Sequence, residues 1–381
     1  MSSSNKNVSI VNVCSGCFAC YNVCPAGAIE IVLSREGFYV PKIDKSLCTN
    51  CGLCLKVCPV VNAPSSEDRF SEPKVYISWS LDEKTRLNSS SGGLYPELAK
   101  LILENGGIVF AVGWNKEWLP QHKEVSDYSQ LSETLGSKYV QSYVGDTYRR
   151  IAELTEYGKK VLFVGTPCQV AGLRNFIKQR RVIEDSVFLV DLVCFGTPSP
   201  SVFKKYLTEN FNNKKITAIS FRDKVTGWST SSFSIYDKTS RIYSVPLFKD
   251  SFLRGFLIKL YLTRICYSCP FSKLPRQGDI TLGDFWGVPD KYKDEKGVSV
   301  VLVNSEKGEE LFNQLREKQI IFAEQVSLET ATKSNPRIVS GHMKMPNERD
   351  KLLMEIHSKS WKYISRKYIN LSVLGDLLEE V

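Results

Sequence analysis

Eight of the twelve cysteines in this 381-residue chain form two runs near its start. CSGCFACYNVCP begins at Cys14, and CTNCGLCLKVCP repeats the same spacing from Cys48. Thiolates spaced Cys-x2-Cys-x2-Cys-x3-Cys-Pro hold pairs of [4Fe–4S] clusters, and the fourth cysteine of each run binds the other run's cluster. We therefore predict one cluster on Cys14, Cys17, Cys20 and Cys58, and a second on Cys48, Cys51, Cys54 and Cys24.

Zinc and disulfide bonds are the alternative uses of clustered cysteines. Zinc ligands usually come in separated pairs that build a tetrahedron, whereas each run packs four cysteines into a short loop closed by proline. Disulfides require an oxidising compartment, and the N-terminus MSSSNKNVSIVNVC has no apolar core of a secretion signal. The pattern indicates iron–sulfur chemistry in a cytoplasmic protein.

Four further cysteines lie later in the chain. Cys168 and Cys194 each follow a predicted buried strand and are expected to open a helix, on the sheet edge where ligands gather. Cys266 and Cys269 form a Cys-x2-Cys-Pro loop. Together the four could hold a third cluster. Spacing alone equally allows two buried apolar cysteines and an unrelated Cys-x2-Cys pair.

Two turns rich in small residues precede predicted helices. NSSSGG covers residues 88–93, and GTPCQ begins at Gly165. Backbone N–H groups at a helix N-terminus bind phosphate, so both turns are candidate phosphate loops. From the residues alone a capped helix start is the favoured interpretation of either turn, with Thr166 as the N-cap before a first-turn proline.

The elements around these residues predict an α+β fold. Residues 28–34 and 38–43 form a predicted hairpin inside an N-terminal two-cluster domain of residues 1–62. Residues 62–73 are polar and predict a linker. Strand and helix signals then alternate over residues 74–325, which predicts an α/β domain with a largely buried sheet. Alternating polarity over residues 215–248 predicts an antiparallel insertion, and residues 326–381 predict a helical C-terminus.

Composition limits the classes of function. The formal net charge is +9 with cysteines counted as neutral, but each loaded four-iron site carries about −2, so three sites leave about +3. The basic count is therefore weak evidence for nucleic acid binding, and we expect none. No apolar run reaches the length of a membrane span. Only three histidines occur, which disfavours histidine acid–base catalysis.

Five motifs follow the cysteine runs in order: NSSSGG at 88–93, SKYVQS at 137–142, GTPCQVAGLR at 165–174, VDLVCFGTPSP at 190–200 and CYSCPFSKLPRQGDITLGDFWG at 266–287. With the double run they resemble the family of beta subunits of coenzyme F420 hydrogenases and dehydrogenases over about residues 10–325. The details look most like a bacterial branch from polysaccharide-synthesis loci, related to hydroxymethyl-chlorophyll reductase.

The resemblance implies FAD beside a third [4Fe–4S] cluster on Cys168, Cys194, Cys266 and Cys269. It implies flavin contacts from Asn88, Ser89, Ser90, Ser91, Gly92, Gly93, Ser137, Lys138, Tyr139, Gly165, Thr166 and Gln169. The family commonly has Cys-His-Gly where this chain has Cys194-Phe195-Gly196, which leaves the catalytic proton donor unidentified.

The expected function is an FAD-dependent iron–sulfur reductase. A ferredoxin-type donor would supply electrons for the reduction of a small-molecule substrate. If the protein belongs to a polysaccharide locus, that substrate is expected to be a sugar or a sugar nucleotide. The alternative is a non-catalytic electron-transfer subunit that docks a separate catalytic partner.

Overall fold

The computed structural model describes residues 6–369 of the chain. Its strands are β1 Ile29–Leu33, β2 Tyr39–Ile43, β3 Lys74–Ser80, β4 Ile108–Trp114, β5 Pro120–Val125, β6 Val161–Gly165, β7 Val187–Leu192, β8 Ala218–Asp223, β9 Ser232–Tyr236, β10 Arg241–Pro246, β11 Ile280–Asp284, β12 Ser299–Val303 and β13 Ile321–Val326. Its α-helices are α1 Ala19–Val23, α2 Leu53–Lys56, α3 Glu83–Leu87, α4 Leu94–Glu104, α5 Tyr128–Leu131, α6 Thr147–Glu156, α7 Pro167–Arg180, α8 Pro200–Phe211, α9 Ser251–Leu257, α10 Glu306–Glu317, α11 Leu328–Thr332, α12 Arg349–Glu355 and α13 Trp361–Ile364.

Residues 6–62, here called the head, contain the two cysteine runs. The predicted hairpin is confirmed: β1 pairs antiparallel with β2, with Ile29 opposite Ile43. The turn passes through Gly37, whose φ of +76° suits glycine. Helices α1 and α2 each begin after a left-handed residue, Phe18 and Gly52, so the chain turns sharply within each cysteine run.

An eight-stranded mixed sheet forms the centre of the rest of the chain, in the order β13-β3-β12-β11-β7-β6-β4-β5. Strands β11, β7, β6 and β4 run parallel, and antiparallel strands flank them on both sides. All five residues of β6 and of β12 are buried, as expected for strands covered on both faces. The mixed α+β architecture is therefore confirmed.

The two faces of the sheet are covered differently. Helices α4 and α10 pack on one face through side chains such as Leu98 and Phe312. Helices α6 and α7 cover the other face, and there the head shares one apolar cluster with them, including Phe18, Tyr148 and Phe176. The head is therefore packed against the α/β part through a continuous core.

The predicted insertion is a three-stranded antiparallel sheet, in the order β10-β9-β8. Its Phe233 packs in a cluster with Phe203 of α8 and Trp361 of the C-terminal segment. That segment consists of short helices joined by loops over residues 327–369. Residues 370–381 of the predicted helical region lie outside the described residues. The predicted division into three domains stays a prediction.

The predicted linker between head and sheet has neither helix nor strand over residues 62–73 of the described chain. It is anchored by Arg69, whose buried guanidinium lies 3.3 Å from Asp279 and donates to the carbonyl of Gln277. Arg174 of α7 adds a 2.5 Å contact to Asp68. These contacts fix the path that leads from the head into β3.

Candidate functional site

The first group of head thiols surrounds one cavity of about 390 Å³. Cys14, Cys17, Cys20 and Cys58 all line it. Gly16, at a φ of +67°, directs its N–H onto the Cys14 sulfur at 3.3 Å. The structure thus gathers three cysteines of the first run with the last cysteine of the second, the grouping predicted from the spacing.

The second group consists of Cys24, Cys48, Cys51 and Cys54, and all four line another cavity. The Asn7 amide donates to the Cys48 sulfur at 3.7 Å. Cys51 is solvent-exposed, whereas Cys54 is buried. The exchange of the fourth cysteine between the runs is therefore present in both groups. Their role as cluster ligands stays a prediction of the sequence.

Burial makes the first group unfavourable as free thiolates. It raises the pKa of Cys14 to about 11 and that of Cys17 to about 12. A bound cation favours deprotonation of such buried, adjacent thiols, because a coordinating metal stabilises the thiolate directly. An iron–sulfur core supplies that positive charge, so the donor set suits a cluster.

The third group comes from three separate segments. Cys168 lies in the first turn of α7, Cys194 follows β7, and Cys266 and Cys269 lie on the loop before β11. Burial raises the pKa of Cys168, Cys194 and Cys266, and the nearby Cys269 thiol raises the pKa of each of the three further. Of the two interpretations that spacing allowed, this placement favours one four-thiol site.

One detail of the predicted third site is wrong. The sequence predicts that Cys194 opens a helix, but α8 begins only at Pro200. The loop between them holds the thiols in another way. Backbone N–H groups donate to sulfur, from Thr197 to Cys266 at 3.4 Å and from Gly196 to Cys194. These donors replace the helix terminus as stabilisers of thiolate charge.

Arg337 is a residue of the third site that the sequence alone does not identify. Its guanidinium is buried and donates to the Cys194 carbonyl at 3.2 Å and to the Ser272 hydroxyl at 3.2 Å. Its positive charge opposes the raised pKa of both Cys194 and Cys266. Arg337 lies in the C-terminal segment, far along the chain from every cysteine, so no local pattern marks it.

The first and third thiol groups meet where the head packs on α7. The Cys168 sulfur lies 3.8 Å from the carbonyl oxygen of Ser15. The Tyr148 hydroxyl lies 2.7 Å from the carbonyl of Cys17 and 2.8 Å from that of Gln169. One buried side chain therefore ties a cysteine loop of the head to the helix that carries Cys168.

The candidate phosphate loop, residues 88–93, leads into α4. Its hydrogen-bonding groups are largely used within the protein: the Gly92 N–H donates to the Ser299 hydroxyl at 2.9 Å and the Ser91 hydroxyl to the Val298 carbonyl at 3.0 Å. The Ser90 hydroxyl accepts the N–H of Ser137 at 2.7 Å. The loop is thus joined to the SKYVQS motif. Asn88 caps α3, and Ser89 bonds back to Thr85.

The other predicted flavin contacts also have internal partners. Gly165 and Thr166 precede α7, where Thr166 and Gln169 form a capping box. Gln169 also donates to the Ser142 hydroxyl at 2.9 Å. These bonds support the interpretation of GTPCQ as a capped helix start. They do not bring Gly165 or Thr166 to residues 88–93.

Lys138 and Tyr139 lie in the SKYVQS motif and are half-buried. Burial lowers the pKa of Lys138 to about 7, and its ammonium donates to the carbonyls of Leu135 and Gly136 at 3.0 Å. The Tyr139 ring stacks on Phe256 at a centroid distance of 5.1 Å. Phe195 meets Phe256 edge to face.

A cluster of buried cations adjoins the serine loop, and no sequence motif points to it. Lys224 donates to the carbonyls of Arg86 at 2.8 Å and Ser91 at 2.7 Å. Burial lowers the pKa of Lys224 to about 7, with Arg86 and Arg222 contributing in the same direction. We call Arg86, Arg222 and Lys224 the cation cluster. Its three charges face two carboxylates, because Asp294 pairs with Arg86 and Asp284 pairs with Arg222.

Two nitrogens of the cation cluster, Nη2 of Arg86 and Nε of Arg222, are buried without a hydrogen-bond partner among the described residues. A buried donor without a partner is costly. Arg222 also lies over the Trp286 ring at 4.9 Å, and Trp286 stacks on Trp228 at 5.1 Å. The region beside the serine loop therefore combines free cationic donors with flat aromatic surface.

Two negative findings apply to residues 6–369. No three His, Cys, Asp or Glu side chains there are arranged to hold a single metal ion; the thiols of the two head groups instead line cavities. Every helix in this range is too short or too polar to span a lipid bilayer.

Two family models match the chain. Residues 13–62 match the 4Fe-4S dicluster domain, which supports iron–sulfur clusters in the head. Residues 158–329 match the model that describes the C-terminal part of the coenzyme F420 hydrogenase/dehydrogenase beta subunit.

Known proteins resemble the chain over most of its length. It is 27% identical over 322 residues to a subunit of the F(420)H(2) dehydrogenase of Methanosarcina mazei, across 81% of this chain and 84% of that protein. It is 28% identical over 325 residues to the coenzyme F420-dependent sulfite reductase of Methanocaldococcus jannaschii, across 82% of this chain but only 48% of that protein.

A solved structure shares the fold. One chain of the F420-reducing [NiFe] hydrogenase complex from Methanosarcina barkeri superposes with a TM-score of 0.50 at 19% identity, covering 71% of this chain and 90% of that chain. The resemblance predicted from the motifs is confirmed by sequence: residues 158–329 match the C-terminal part of the beta subunits of coenzyme F420 hydrogenases and dehydrogenases, and two F420-related proteins are similar over most of the chain.

Proposed function

We propose that this iron–sulfur oxidoreductase is a flavoprotein that passes electrons from a ferredoxin-type donor through three [4Fe–4S] clusters to FAD and on to an organic substrate. One observation carries the proposal. The Cys168 sulfur of the third thiol group lies 3.8 Å from the Ser15 carbonyl, within the loop of the first group. The two groups are therefore separated by only one backbone segment, a short distance for an electron to cross.

The residues between the groups have defined tasks in this proposal. Tyr148 holds the loop of Cys17 against the helix of Cys168 through its hydroxyl. Gly172 permits the close approach, because a Cβ there would lie 2.8 Å from the Cys17 sulfur. Arg337 places a buried positive charge beside Cys194 and Cys266. That charge stabilises the additional negative charge of a reduced centre.

The chain's residues fit an anionic dinucleotide such as FAD. The unpartnered nitrogens of Arg86 and Arg222 supply cationic donors beside the serine loop, and guanidinium groups bind phosphate oxygens well. Ser90, Ser91 and Gly92 remain the proposed contacts of the loop, with Ser137 joined to it. FAD would convert single-electron delivery into a two-electron, hydride-type reduction.

The substrate class is the least constrained part of the proposal. A sugar or sugar nucleotide is supported only by the likeness of the motifs to the polysaccharide-locus branch. A deazaflavin is supported by the names of the relatives, one belonging to an F(420)H(2) dehydrogenase and one a coenzyme F420-dependent reductase.

A second function is favoured by a specific observation. One relative is named as a subunit, and the solved neighbour belongs to a hydrogenase complex. This chain would then relay electrons to a separate catalytic partner. Turnover separates the two: a flavoenzyme reduces its substrate with reduced ferredoxin as the purified chain alone, whereas a relay protein requires its partner.

The flavin proposal is tested by releasing the cofactor from anaerobically purified protein and identifying it by chromatography. We expect non-covalent FAD in the wild type. Ser91→Glu should empty the site, because its carboxylate would oppose the phosphates. Ser66→Glu, at an exposed position of the 62–73 segment, should retain FAD. Full FAD occupancy in Ser91→Glu would show that the phosphates of FAD bind at another place in the chain. Wild-type protein without flavin would overturn the proposal.

A further inference from the structure

Acidic residues are distributed unevenly in the head. Residues 1–29 and 45–66 contain all eight cysteines of the two runs and not one Asp or Glu. The acidic residues of the head, Glu30, Glu36 and Asp44, all lie in or beside the β1–β2 hairpin. The sequence around the cysteines therefore offers an approaching protein only neutral and basic side chains.

Two of these three carboxylates are balanced locally. Glu30 of β1 lies directly opposite Lys42 of β2 in the register. Glu36 is bound by the buried guanidinium of Arg349 at 2.6 Å and contacted by Arg264 at 3.2 Å. Asp44 is the remaining acidic group, and Ser46 donates to its carboxylate.

The second thiol group contains the most exposed cysteine of the head. Cys51 is exposed, while Cys17 and Cys20 of the first group are buried. Leu47, one residue before Cys48, is an exposed apolar side chain with 52% of its surface accessible. A single exposed leucine is ordinary on a protein surface, so the charges near the second thiol group carry the argument.

Exposed lysines accompany this surface. Lys6, Lys45 and Lys56 are all exposed. The Lys6 backbone N–H donates to the Asn50 side chain at 2.8 Å, which places Lys6 beside Cys51. Lys45 precedes Cys48 by three residues, and Lys56 ends α2, two residues after Cys54. Each of these lysines therefore lies within three residues of a thiol of the second group or bonds to such a residue, and Asp44 is the one acidic residue among residues 44–66.

We propose that the face formed by Cys51, Leu47, Lys6, Lys45 and Lys56, here called the lysine face, docks a small acidic one-electron carrier protein. The inference rests on the proposed function, because it assigns the point where electrons enter. One electron leaves the reduced carrier and reduces the centre held by Cys24, Cys48, Cys51 and Cys54; no proton moves and no bond forms. Opposite charges on the two partners accelerate encounter and orient it.

The experiment measures how fast an acidic two-cluster ferredoxin, chemically reduced beforehand, reduces the centres of the anaerobic protein in a stopped-flow instrument. We expect the triple variant Lys6→Glu/Lys45→Glu/Lys56→Glu to lower the second-order rate constant by about tenfold or more at low ionic strength. The wild-type rate constant should fall as salt is added, because salt screens the attraction.

A matched control has the same change in net charge elsewhere. Lys214→Glu/Lys215→Glu/Lys238→Glu alters three exposed lysines around the three-stranded insertion and should keep the wild-type rate constant. Dithionite should reduce all three proteins at similar rates, and their reduction potentials should agree. An unchanged rate constant in the Lys6, Lys45 and Lys56 variant, or an equal loss in the control, would overturn the lysine face as the docking site.

The result is independent of the flavin. If the lysine-face variant slows reduction of the clusters in protein that proves to lack FAD, the docking inference stands and the flavoenzyme proposal fails. If FAD is present but the variant reacts like the wild type, the reverse holds. A slower reaction with dithionite as well would show that the lysines tune the cluster potential, which contradicts docking.

Discussion

The sulfur of Cys168 lies 3.8 Å from the carbonyl oxygen of Ser15. This contact joins two parts of the chain that the sequence separates by more than one hundred residues. It places the third thiol group, to which Cys168 belongs, directly against the cysteine loop of the first group in the head. Because α7 packs on the head at Gly172, the relation depends on the core and not on a flexible tether.

Removal of one ligand of the third group should have a selective effect. In Cys269→Ala we expect the two head clusters to remain and to be reduced by dithionite, because their ligands lie in the head. Bound FAD should be largely retained, since its phosphates are held elsewhere. Substrate reduction driven by ferredoxin should collapse, whereas flavin reduced directly by light should still react with substrate.

Cys17→Ala is the matched control for that variant. It should damage one head cluster and leave the cluster beside the flavin intact, as followed by electron paramagnetic resonance. If Cys269→Ala keeps the iron content and the ferredoxin-driven turnover of the wild type, the four later cysteines do not hold a cluster and have a structural role. The proposed electron path would then be wrong.

Arg337 should tune the third centre through its charge. Arg337→Gln removes a buried cation beside Cys194 and Cys266, so the reduced state loses stabilisation. We expect the reduction potential of the third cluster to fall by on the order of 50 mV, with those of the head clusters unchanged. Arg337→Lys should restore most of the shift. Equal reduction potentials of the third cluster in Arg337→Gln and the wild type would show that Arg337 does not tune this centre.

His122 should make stability depend on pH. Burial lowers its pKa from 6.5 to about 4, and its ring stacks on Phe163 at 5.0 Å. As the pH falls below about 6.5, the unfolded chain binds a proton at this residue before the folded chain does. Above pH 6.5 His122 is neutral in both the folded and the unfolded chain, and the free energy of unfolding is at its full value. Between pH 6.5 and pH 4 the free energy of unfolding falls by about 3 kcal/mol, because only the unfolded chain is protonated at His122.

The check compares the unfolding temperature of the wild type with that of His122→Gln between pH 8 and pH 4. Other titrating groups are common to both proteins, so the difference isolates His122. We expect the wild type to lose stability more steeply than the variant below pH 6.5. Parallel pH profiles would show that His122 is not the titrating group.

The sequence predicts those parts of the fold and site that depend on local signals. The β1–β2 hairpin, the buried strands β6 and β7, and the capped start of α7 at Thr166 follow from short patterns of polarity and capping residues. The assignment of Cys58 to the first thiol group follows from the rule for paired cysteine runs. Each of these features needs only residues that are close in sequence or related by the repeat.

The remaining features arise from contacts between distant segments. Arg337 reaches Cys194 only after the C-terminal segment has packed on the loop of Cys269, where the Cys269 N–H donates to the Gly341 carbonyl at 2.9 Å. The cation cluster forms because Lys224, just after the strand β8, meets the backbone of the loop at Ser91. Nothing in the sequence around a single Lys or Arg indicates that its side chain will be buried in this way.

The iron and sulfide content of the anaerobically purified wild-type chain tests the central claim most directly, since the account requires three thiol groups that each hold a four-iron cluster. Colorimetric analysis against quantitative amino-acid analysis should give about twelve iron and twelve sulfide per chain. A content of about eight of each would leave the head clusters and contradict a cluster on Cys168, Cys194, Cys266 and Cys269. Stoichiometric zinc in place of iron would contradict the whole account.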